Sequence, residues 1–221
     1  KRDLPNVLVV ATPEEAIQHP DIDLVVIASP NATHAPLATL ALNAGKHVVV
    51  DKPFTLNMQE ARDLIALAQE KQRLLSVFHN RRWDSDFLGI KQVIEQGSIG
   101  KVKHFESHID RFRPEVRVRW REQNVPGSGL WFDLGPHMID QTLQLFGLPL
   151  SVQGNIATLR DGAGINDWAH VVLNYPEHKV VLHCSMLVAG GVARFTVHGD
   201  KASVVKARID QQEAQLLAGV I

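Results

Sequence analysis

A chain of 221 residues is long enough to bury one large hydrophobic core or two modest ones. Its 23 Lys and Arg residues balance 24 Asp and Glu residues, so its charge gives no reason to expect nucleic acid or an anionic membrane as a partner. No apolar run approaches the length of a membrane span or a signal peptide. The single cysteine, Cys184, cannot form an internal disulfide bond, and we therefore expect a reducing, cytoplasmic location.

The first third of the chain alternates apolar runs with amphipathic segments. The continuous apolar run at residues 24–28 is typical of a strand that is buried on both faces. Thr33 is placed to cap the helix that follows, and Asn57 with Glu60 predicts a capping box for a second helix. Alternating strands and helices imply right-handed crossovers, and hence a parallel, doubly wound sheet. The predicted strands of this part cover residues 7–10, 24–28, 47–50 and 74–78.

After residue 80 the pattern changes to a series of strands. A helix around residues 87–94 comes first, and a helix at about 134–146 interrupts the strands. Short links at residues 176–178 and 190–191 favour hairpins, and hence a mostly antiparallel sheet. The predicted strands cover residues 101–112, 151–159, 168–175, 179–188, 192–198 and 202–209.

The change of pattern predicts two domains and an α/β fold class. Residues 1–80 are expected to form an incomplete doubly wound parallel sheet. Residues 81–221 are expected to form an α+β domain with a large, mostly antiparallel open sheet.

The open sheet of the second domain also predicts a homodimer. Its helices can cover only one face, yet the strand at 179–188 carries apolar residues on both. Val181 and Leu187 face one side and alternate with Val180, Leu182, Cys184 and Met186 on the other. Because an uncovered apolar face favours association, we expect two copies to pair through it.

Two short polar segments follow strands of the predicted parallel sheet, at the carboxyl edge where ligands of such folds bind. The segment Ser29-Pro30-Asn31-Ala32-Thr33-His34 leads into a helix N-terminus that can hold an anion, although a simple turn with a cap explains the same residues. The segment Asp51-Lys52-Pro53 places a lysine where the backbone is restricted by proline. An exposed lysine at a strand end is the alternative interpretation.

Asp133 and His137 are four positions apart at the start of a predicted helix, so both can project from one face. An imidazole titrates near neutral pH and can accept a proton from a hydroxyl group. A salt bridge within the helix is an alternative. The pair could also bind a metal ion, but no third ligand has a convincing spacing, and we predict no metal site.

Arg82, Trp120 and Arg121 are further candidates for substrate contacts. Arg82 follows a predicted parallel strand, although neighbouring arginines are more often solvated. Trp120 precedes a glycine-containing segment, although a packing role is the default for tryptophan. His104 and His108 suggest a metal pair, but on a strand they are well separated.

The combination of Asp51-Lys52-Pro53 with Asp133 and His137 resembles the glucose-fructose oxidoreductase and inositol dehydrogenase (Gfo/Idh/MocA) family of nicotinamide-dependent sugar and polyol oxidoreductases. The signature of that family is Glu-Lys-Pro followed much later by Asp-x-x-x-His, and this chain carries Asp51 in place of the glutamate. The resemblance spans nearly the whole chain, to about residue 209. It implies a Rossmann-type dinucleotide-binding domain followed by a substrate-binding and dimerisation domain.

The resemblance also implies roles for single residues. Lys52 would contact the reacting hydroxyl, His137 would be the acid/base, and Asp133 would contact the substrate or orient it. Asp140, a further turn along, would help to hold the imidazole. The implied cofactor-binding residues are Ser29, Pro30, Asn31, His34, Asp51 and Lys52, and the implied substrate-binding residues are Arg82, Trp120, Arg121, Asp133 and His137.

The implied activity is hydride transfer between NAD or NADP and a secondary alcohol of a sugar or polyol. The Gly-x-Gly-x-x-Gly turn and the ribose-binding acidic residue of such domains are not in the chain, so we expect further sequence at its amino-terminal end, and also at its carboxyl-terminal end. A chain that begins at Lys1 is expected to bind dinucleotide poorly and to have little activity by itself. A non-catalytic ligand-sensing or regulatory module on the same fold is the main alternative, and a pure assembly module is a third interpretation.

Overall fold

The computed structural model describes residues 6–207 and 211–219. The chain divides into two compact units, of which the first ends at Phe78 and the second begins at His79. This division lies beside residue 80, where the sequence pattern changes. Each unit has its own hydrophobic core.

The first unit is built on a three-stranded parallel sheet with its strands in chain order. This arrangement confirms the predicted parallel, Rossmann-like sheet. The strands are β1 (Leu24–Ile27), β2 (His47–Asp51) and β3 (Leu75–Phe78), and the helices are α1 (Pro13–Gln18), α2 (His34–Asn43) and α3 (Met58–Glu70).

Described residues cover only one face of this sheet. Both connections move in the same direction across the sheet, so right-handed crossovers place α2 and α3 on the same side. On that side Val48 and Val50 are at most 1% exposed, whereas Val26 on the other side is 64% exposed. The prediction that residues 24–28 are buried on both faces is therefore wrong within the described part of the chain. Helices on the other face of the sheet would require strand connections that run in the opposite direction across the sheet.

Local helix signals are confirmed for α3 but not for α2. Asn57 Oδ1 accepts a hydrogen bond from the Glu60 backbone N–H at 2.9 Å, and the Glu60 carboxylate accepts one from the Leu56 N–H at 3.0 Å. Thr33 does not cap α2, because its hydroxyl donates to the Pro30 carbonyl oxygen at 2.7 Å. The start of α2 is therefore set by the 3₁₀ turn before it and not by a side-chain cap.

The predicted strand at residues 7–10 is wrong. These residues form no regular structure, and Val7, Leu8 and Val9 are exposed. A strand needs a hydrogen-bonded neighbour, and in the described sheet neither β1 nor β3 pairs with this segment.

The second unit contains six strands and three helices within the described residues. The strands are β4 (Val102–Asp110), β5 (Ser151–Ala157), β6 (Trp168–Asn174), β7 (Lys179–Ser185), β8 (Phe195–Gly199) and β9 (Ser203–Lys206), and the helices are α4 (Ser85–Glu95), α5 (Leu130–Phe146) and α6 (Gln212–Leu217). The strands form one sheet in the order β5-β6-β7-β4-β8-β9. Only the pair β4 and β7 is parallel, which confirms the predicted mostly antiparallel sheet.

One predicted hairpin is confirmed and another is wrong. Residues 176–178 connect the adjacent antiparallel strands β6 and β7. Residues 190–191 do not join neighbouring strands, because β4 lies between β7 and β8. Glycines predict a turn, but the pairing of β4 depends on residues far away in the sequence. Of the last predicted strand, 202–209, β9 covers the first part, and residues 208–209 lie outside the described residues.

Helices α4 and α5 cover one face of this sheet and form the larger core. Phe105 on β4, Leu182 on β7 and Met138 on α5 are fully buried there. Cys184 belongs to the same core, where burial raises the pKa of its thiol to about 12. The thiol is therefore neutral and serves as a packing group.

The opposite face of the sheet is rich in histidine. Glu106 lies between His104 and His108, with its carboxylate oxygens 2.7 Å from His104 Nε2 and 3.0 Å from His108 Nε2. Asp110 Oδ2 is 3.3 Å from His108 Nδ1, and Asp110 Oδ1 is 3.7 Å from His183 Nε2. No group of three or more His, Cys, Asp or Glu among the described residues is placed to hold a metal ion. These histidines and carboxylates instead contact one another.

We expect protonated His108 to stabilise the fold. Burial lowers its pKa, but the hydrogen bonds and charges of Asp110 and Glu106 outweigh burial, so the pKa of His108 is raised. Its contribution is therefore full below the unfolded pKa of about 6.5 and is lost as the pH rises through the raised folded pKa. Replacing His108 with glutamine should lower the free energy of unfolding by on the order of 1 kcal/mol more at pH 6 than at pH 9, as measured by urea titration.

A matched control for this titration is His198→Gln. His198 Nδ1 lies 2.7 Å from the Ser203 hydroxyl rather than beside a carboxylate. Its replacement removes a contact with a hydroxyl group and no contact with a carboxylate, so the extra loss at pH 6 expected for His108→Gln should not appear. An equal loss at both pH values for His108→Gln as well would contradict the assignment of charge to His108.

Candidate active site

The loop after β1 presents polar side chains at the carboxyl edge of the parallel sheet. Residues Asn31–Thr33 form a short 3₁₀ helix that leads into α2. The Ser29 and Thr33 hydroxyl oxygens are 2.5 Å apart, and since Thr33 donates to the Pro30 carbonyl, Ser29 is the donor of the pair. Asn31 is buried. The fold therefore brings Ser29, Pro30 and Asn31 into one fixed turn.

His34 links the loop after β1 to the loop after β2. Its side chain is 1% exposed, with Nδ1 2.8 Å from the Pro53 carbonyl oxygen and Nε2 3.0 Å from the Ser29 carbonyl oxygen. Both ring nitrogens therefore face backbone carbonyls. In this geometry His34 positions the two loops that carry Ser29 and Lys52.

The end of β2 places Lys52 at the same edge of the sheet. Asp51 Oδ1 accepts a hydrogen bond from the backbone N–H of Lys52 at 2.8 Å. The peptide bond between Lys52 and Pro53 is cis. Asp51 and Lys52 are both half-buried. The Asp51 side chain, which is shorter than the glutamate of the family signature, thus accepts a hydrogen bond from the Lys52 backbone.

Helix α5 begins at Leu130, four residues earlier than predicted. Gly129 has a φ of 94°, and a Cβ atom there would lie 2.4 Å from the Asn166 side-chain nitrogen. The Leu130 N–H donates to the Asn166 carbonyl oxygen and the Trp131 N–H donates to Asn166 Oδ1, both at 2.9 Å. Asn166 therefore caps α5 from a distant part of the sequence. No local signal indicated this role.

Asp133 and His137 lie one turn apart in the first half of α5. Gly135 lets the helix pass the Trp131 ring, because a Cβ atom at Gly135 would lie 2.8 Å from that ring. His137 is 4% exposed, whereas the Asp133 side chain is 21% exposed. The nearby helix N-terminus favours the negative charge of Asp133. The pair combines a buried imidazole with a more accessible carboxylate.

Asp140, one turn further along α5, forms a bidentate ion pair with Arg82. Arg82 Nε donates to Asp140 Oδ2 at 2.7 Å and Arg82 Nη2 donates to Asp140 Oδ1 at 2.6 Å. These hydrogen bonds raise the pKa of Arg82. His79 Nε2 lies 4.0 Å from Asp140 Oδ1. The pair holds the 3₁₀ helix Asn80–Trp83 against α5, and the substrate contact of Arg82 stays a prediction.

Trp120 and Arg121 lie in a third 3₁₀ helix, Trp120–Glu122. The guanidinium carbon of Arg121 is 4.6 Å from the centre of the Trp120 ring, which is a cation–π distance. Arg121 Nε is also 3.7 Å from Asp133 Oδ1. The second unit therefore brings three predicted substrate-binding residues together, namely Trp120, Arg121 and Asp133.

A buried ion cluster holds this region in place, and the sequence motifs did not reveal it. Arg160 Nε donates to Asp167 Oδ2 at 2.9 Å, and Arg160 Nη2 lies 3.1 Å from Glu122 Oε2. Arg160 Nη1 donates to the carbonyl oxygens of Arg113 at 3.1 Å and Glu115 at 3.2 Å. Arg160 thus fixes the backbone of the segment that precedes Trp120.

Glu122 stays ionised within this cluster. Burial raises its pKa, but hydrogen bonds from the Arg117 N–H and the Arg119 side chain, with the charges of Arg119 and Arg160, lower it by more. Arg119 Nε donates to Glu122 Oε1 at 2.7 Å. The charge of Glu122 therefore pairs with two arginines.

Family models match both units of the chain. Residues 2–79 match the model of the oxidoreductase family with an NAD-binding Rossmann fold, and residues 87–205 match the GFO/IDH/MocA C-terminal domain. None of the described helices combines the length and the apolarity that crossing a bilayer requires.

Relatives with known sequences and structures cover almost the whole chain. The chain is 55% identical to the uncharacterized oxidoreductase YdgJ of Escherichia coli (strain K12), over 99% of this chain and 63% of that protein. It is 42% identical to the scyllo-inositol 2-dehydrogenase (NADP(+)) IolW of Bacillus subtilis (strain 168), over 99% of this chain and 61% of that protein. A crystal structure from Klebsiella pneumoniae is 84% identical, with a TM-score of 0.92, over 100% of this chain and 62% of that chain.

The chain thus spans about three fifths of the length of the curated relatives it matches. The two model matches include the strand end that carries Lys52 and the helix that carries Asp133 and His137. The chain therefore belongs to the GFO/IDH/MocA family of oxidoreductases.

Proposed function

We propose that the full-length protein transfers hydride between NAD or NADP and a secondary alcohol of a sugar or polyol. The observation that carries this proposal is the placement of Asp133 and His137 one turn apart on α5, in a chain that also carries Lys52 directly after β2. Family membership supports the oxidoreductase class. The relative IolW, named a scyllo-inositol 2-dehydrogenase, supports a polyol as substrate.

The donor groups at the carboxyl edge of the first unit's sheet fit a nicotinamide dinucleotide. Such cofactors bind outside the carboxyl ends of parallel strands. This edge carries the Asn31 amide and the Lys52 ammonium, which suit phosphate and carboxamide oxygens, and the Ser29 hydroxyl, whose oxygen can accept a hydrogen bond. A bound cofactor would supply the hydride acceptor, and His34 would keep the two loops that hold it in place.

In the proposed reaction His137 accepts the proton of the substrate hydroxyl as hydride leaves the same carbon. Burial of the imidazole limits competition from water. Lys52 stabilises the negative charge that develops on the oxygen. Asp133 accepts a hydrogen bond from the substrate and thereby orients it, while Arg121 restrains the carboxylate of Asp133.

Turnover by the full-length protein tests this proposal. The protein is mixed with NAD or NADP and with a panel of sugars and polyols that includes scyllo-inositol. Formation of reduced nicotinamide is monitored by its absorbance. We expect turnover of at least one neutral or acidic member of the panel. Binding of the cofactor without any turnover would contradict an oxidoreductase and favour a ligand-sensing module.

We also propose that the protein is a cytoplasmic homodimer that pairs through the histidine-rich face of the second unit's sheet. The core under α4 and α5 lies on the other face. Histidines and carboxylates alternate on this face. Across a twofold axis, the histidines of one copy can therefore face the carboxylates of the other. Analytical ultracentrifugation should give the mass of a dimer, and a monomer at every concentration would contradict the proposal.

A further inference from the structure

A buried arginine joins the sheet of the second unit to its helices. Arg194, directly before β8, is 2% exposed. Its Nη1 donates to the Ser107 hydroxyl oxygen on β4 at 2.6 Å, and its Nε lies 3.5 Å from Asp86 Oδ2 on α4. Burial lowers the pKa of Arg194 to about 10, so its guanidinium stays charged at neutral pH. This cation therefore links β4 and the start of β8 to α4.

Arg194 also sets the orientation of the Gln141 side chain on α5. Arg194 Nη2 donates to Gln141 Oε1 at 2.8 Å, and Gln141 is 1% exposed. A guanidinium group has only hydrogen-bond donors, so it faces the amide oxygen and not the amide nitrogen. The amide nitrogen of Gln141 is thereby directed to a different partner.

That partner is the backbone of the 3₁₀ helix Asn80–Trp83. Gln141 Nε2 donates to the Arg81 carbonyl oxygen at 2.7 Å. The next residue of the 3₁₀ helix, Arg82, forms its bidentate ion pair with Asp140. Two consecutive residues of α5 therefore hold this segment, one by its backbone and the other by the Arg82 side chain.

These contacts place Arg82 beside the part of α5 that carries His137. His137 precedes Asp140 by three positions and Gln141 by four, so the three side chains lie on one side of the helix. Asp140 engages Nε and Nη2 of Arg82, so Nη1 is the nitrogen that can donate to a ligand. The Arg82 side chain is 40% exposed. A donor that reaches solvent is thus held one turn from the imidazole of the candidate site.

We propose that Gln141 is a positioning residue of the proposed reaction, and that it holds Arg82 where Arg82 can bind the substrate beside His137. This inference rests on the proposed function, because it names a residue that supports the same site. Without the hydrogen bond from Gln141, Arg82 keeps its ion pair with Asp140, but the backbone that carries it can shift. A shift of about 1 Å at a substrate contact can cost about a hundredfold in rate.

Two substitutions of Gln141 separate positioning from folding. Gln141→Glu keeps an acceptor for Arg194, but its carboxylate cannot donate to the Arg81 carbonyl oxygen. Its urea midpoint should stay close to that of the parent, because the new ion pair offsets the lost hydrogen bond. Gln141→Met has a similar shape, loses both contacts and should unfold at lower urea. Gln144→Glu is the matched control, since Gln144 is exposed on the same helix.

Amide hydrogen exchange of the full-length protein, without substrate or cofactor, tests the structural step. The N–H groups of Arg82 and Asp84 form hydrogen bonds of the 3₁₀ helix, at 3.1 and 3.4 Å. In Gln141→Glu these two amides should exchange about tenfold faster than in the parent, while amides of β4 and β8 should exchange at the parent rate. The control should match the parent throughout. Parent-like exchange of Arg82 and Asp84 in both Gln141 variants would overturn the inference.

Turnover tests whether Gln141 acts through Arg82. With the substrate identified by the turnover assay, kcat/KM of Gln141→Glu should fall about 10- to 100-fold, and that of Gln144→Glu should not change. In an Arg82→Met background the same Gln141 substitution should cost less than about twofold, because the group that it positions is absent. A purely structural role predicts an equal loss in both backgrounds, and that result would overturn the inference.

The two measurements separate this inference from the proposed function. Turnover by the parent with parent-like kcat/KM in both Gln141 variants would overturn the inference and leave the proposed function intact. If the parent binds a sugar or polyol without turnover, the proposed reaction fails, and affinity replaces kcat/KM in the same comparison. A loss of affinity confined to the background that contains Arg82 would then support the positioning role, and an equal loss in both would overturn it.

Discussion

Replacing His137 with alanine in the full-length protein is expected to lower the rate constant of hydride transfer by a hundredfold or more. General acid–base catalysis by a positioned side chain contributes about 10²- to 10⁴-fold, and the proposed role of His137 is to accept the hydroxyl proton. Stopped-flow measurement of reduced nicotinamide with saturating substrate isolates this step. Cofactor affinity should be nearly unchanged, because the proposed cofactor contacts lie at the edge that carries Ser29 and Lys52.

Lys52→Met should also lower the rate of hydride transfer with little effect on folding, because in the proposed reaction the lysine stabilises the charge that develops in the transition state. The double variant with His137→Ala should lose less than the product of the two single losses, since in the proposed reaction both residues act on the same hydroxyl. His198→Ala on β8 is the control, and it should turn over substrate at the parent rate. If Lys52→Met and His137→Ala also matched the parent, the catalytic assignment would be wrong and a regulatory module would become the better interpretation.

Replacing Arg160 with methionine is expected to lower the free energy of unfolding of the second unit by about 3–5 kcal/mol. The change leaves the buried carboxylates of Asp167 and Glu122 without their shared cation and frees the carbonyl oxygens of Arg113 and Glu115. Urea unfolding, monitored by tryptophan fluorescence, measures this loss in the second unit. All four tryptophans, Trp83, Trp120, Trp131 and Trp168, lie in the second unit.

Two further variants test the physical reason for this loss. Arg117→Met removes an exposed arginine and should change the unfolding free energy by less than about 0.5 kcal/mol. Adding Asp167→Asn and Glu122→Gln to Arg160→Met should recover part of the loss, because the uncompensated buried charges are removed together with the cation. A parent-like unfolding midpoint for Arg160→Met would show that the buried cluster contributes little.

Local sequence signals predicted most elements of this fold because their causes are local. The apolar runs and helical stripes identified β1 to β3 with α2 and α3, and the Asn57–Glu60 pair marked the start of α3. Within the site, the spacing of Asp133 and His137 required only that their segment be helical. The sequence alone therefore identifies the motif residues of both units, while their chemical roles are proposals.

The features that the sequence did not reveal depend on contacts between distant residues. The placement of β4 between β7 and β8 depends on pairing across the sheet rather than on the 190–191 link.

The start of α5 at Leu130 and the burial of the ion cluster also depend on distant partners. Asn166 caps α5 from 35 positions along the chain, and Arg160 reaches Glu122 across a similar separation. Neither hydrophobic periodicity nor residue spacing predicts such a contact, because its partners meet only after the sheet and helices have packed. The sequence by itself determined the types of element and the motif positions, and the tertiary structure decided which distant side chains hold them in place.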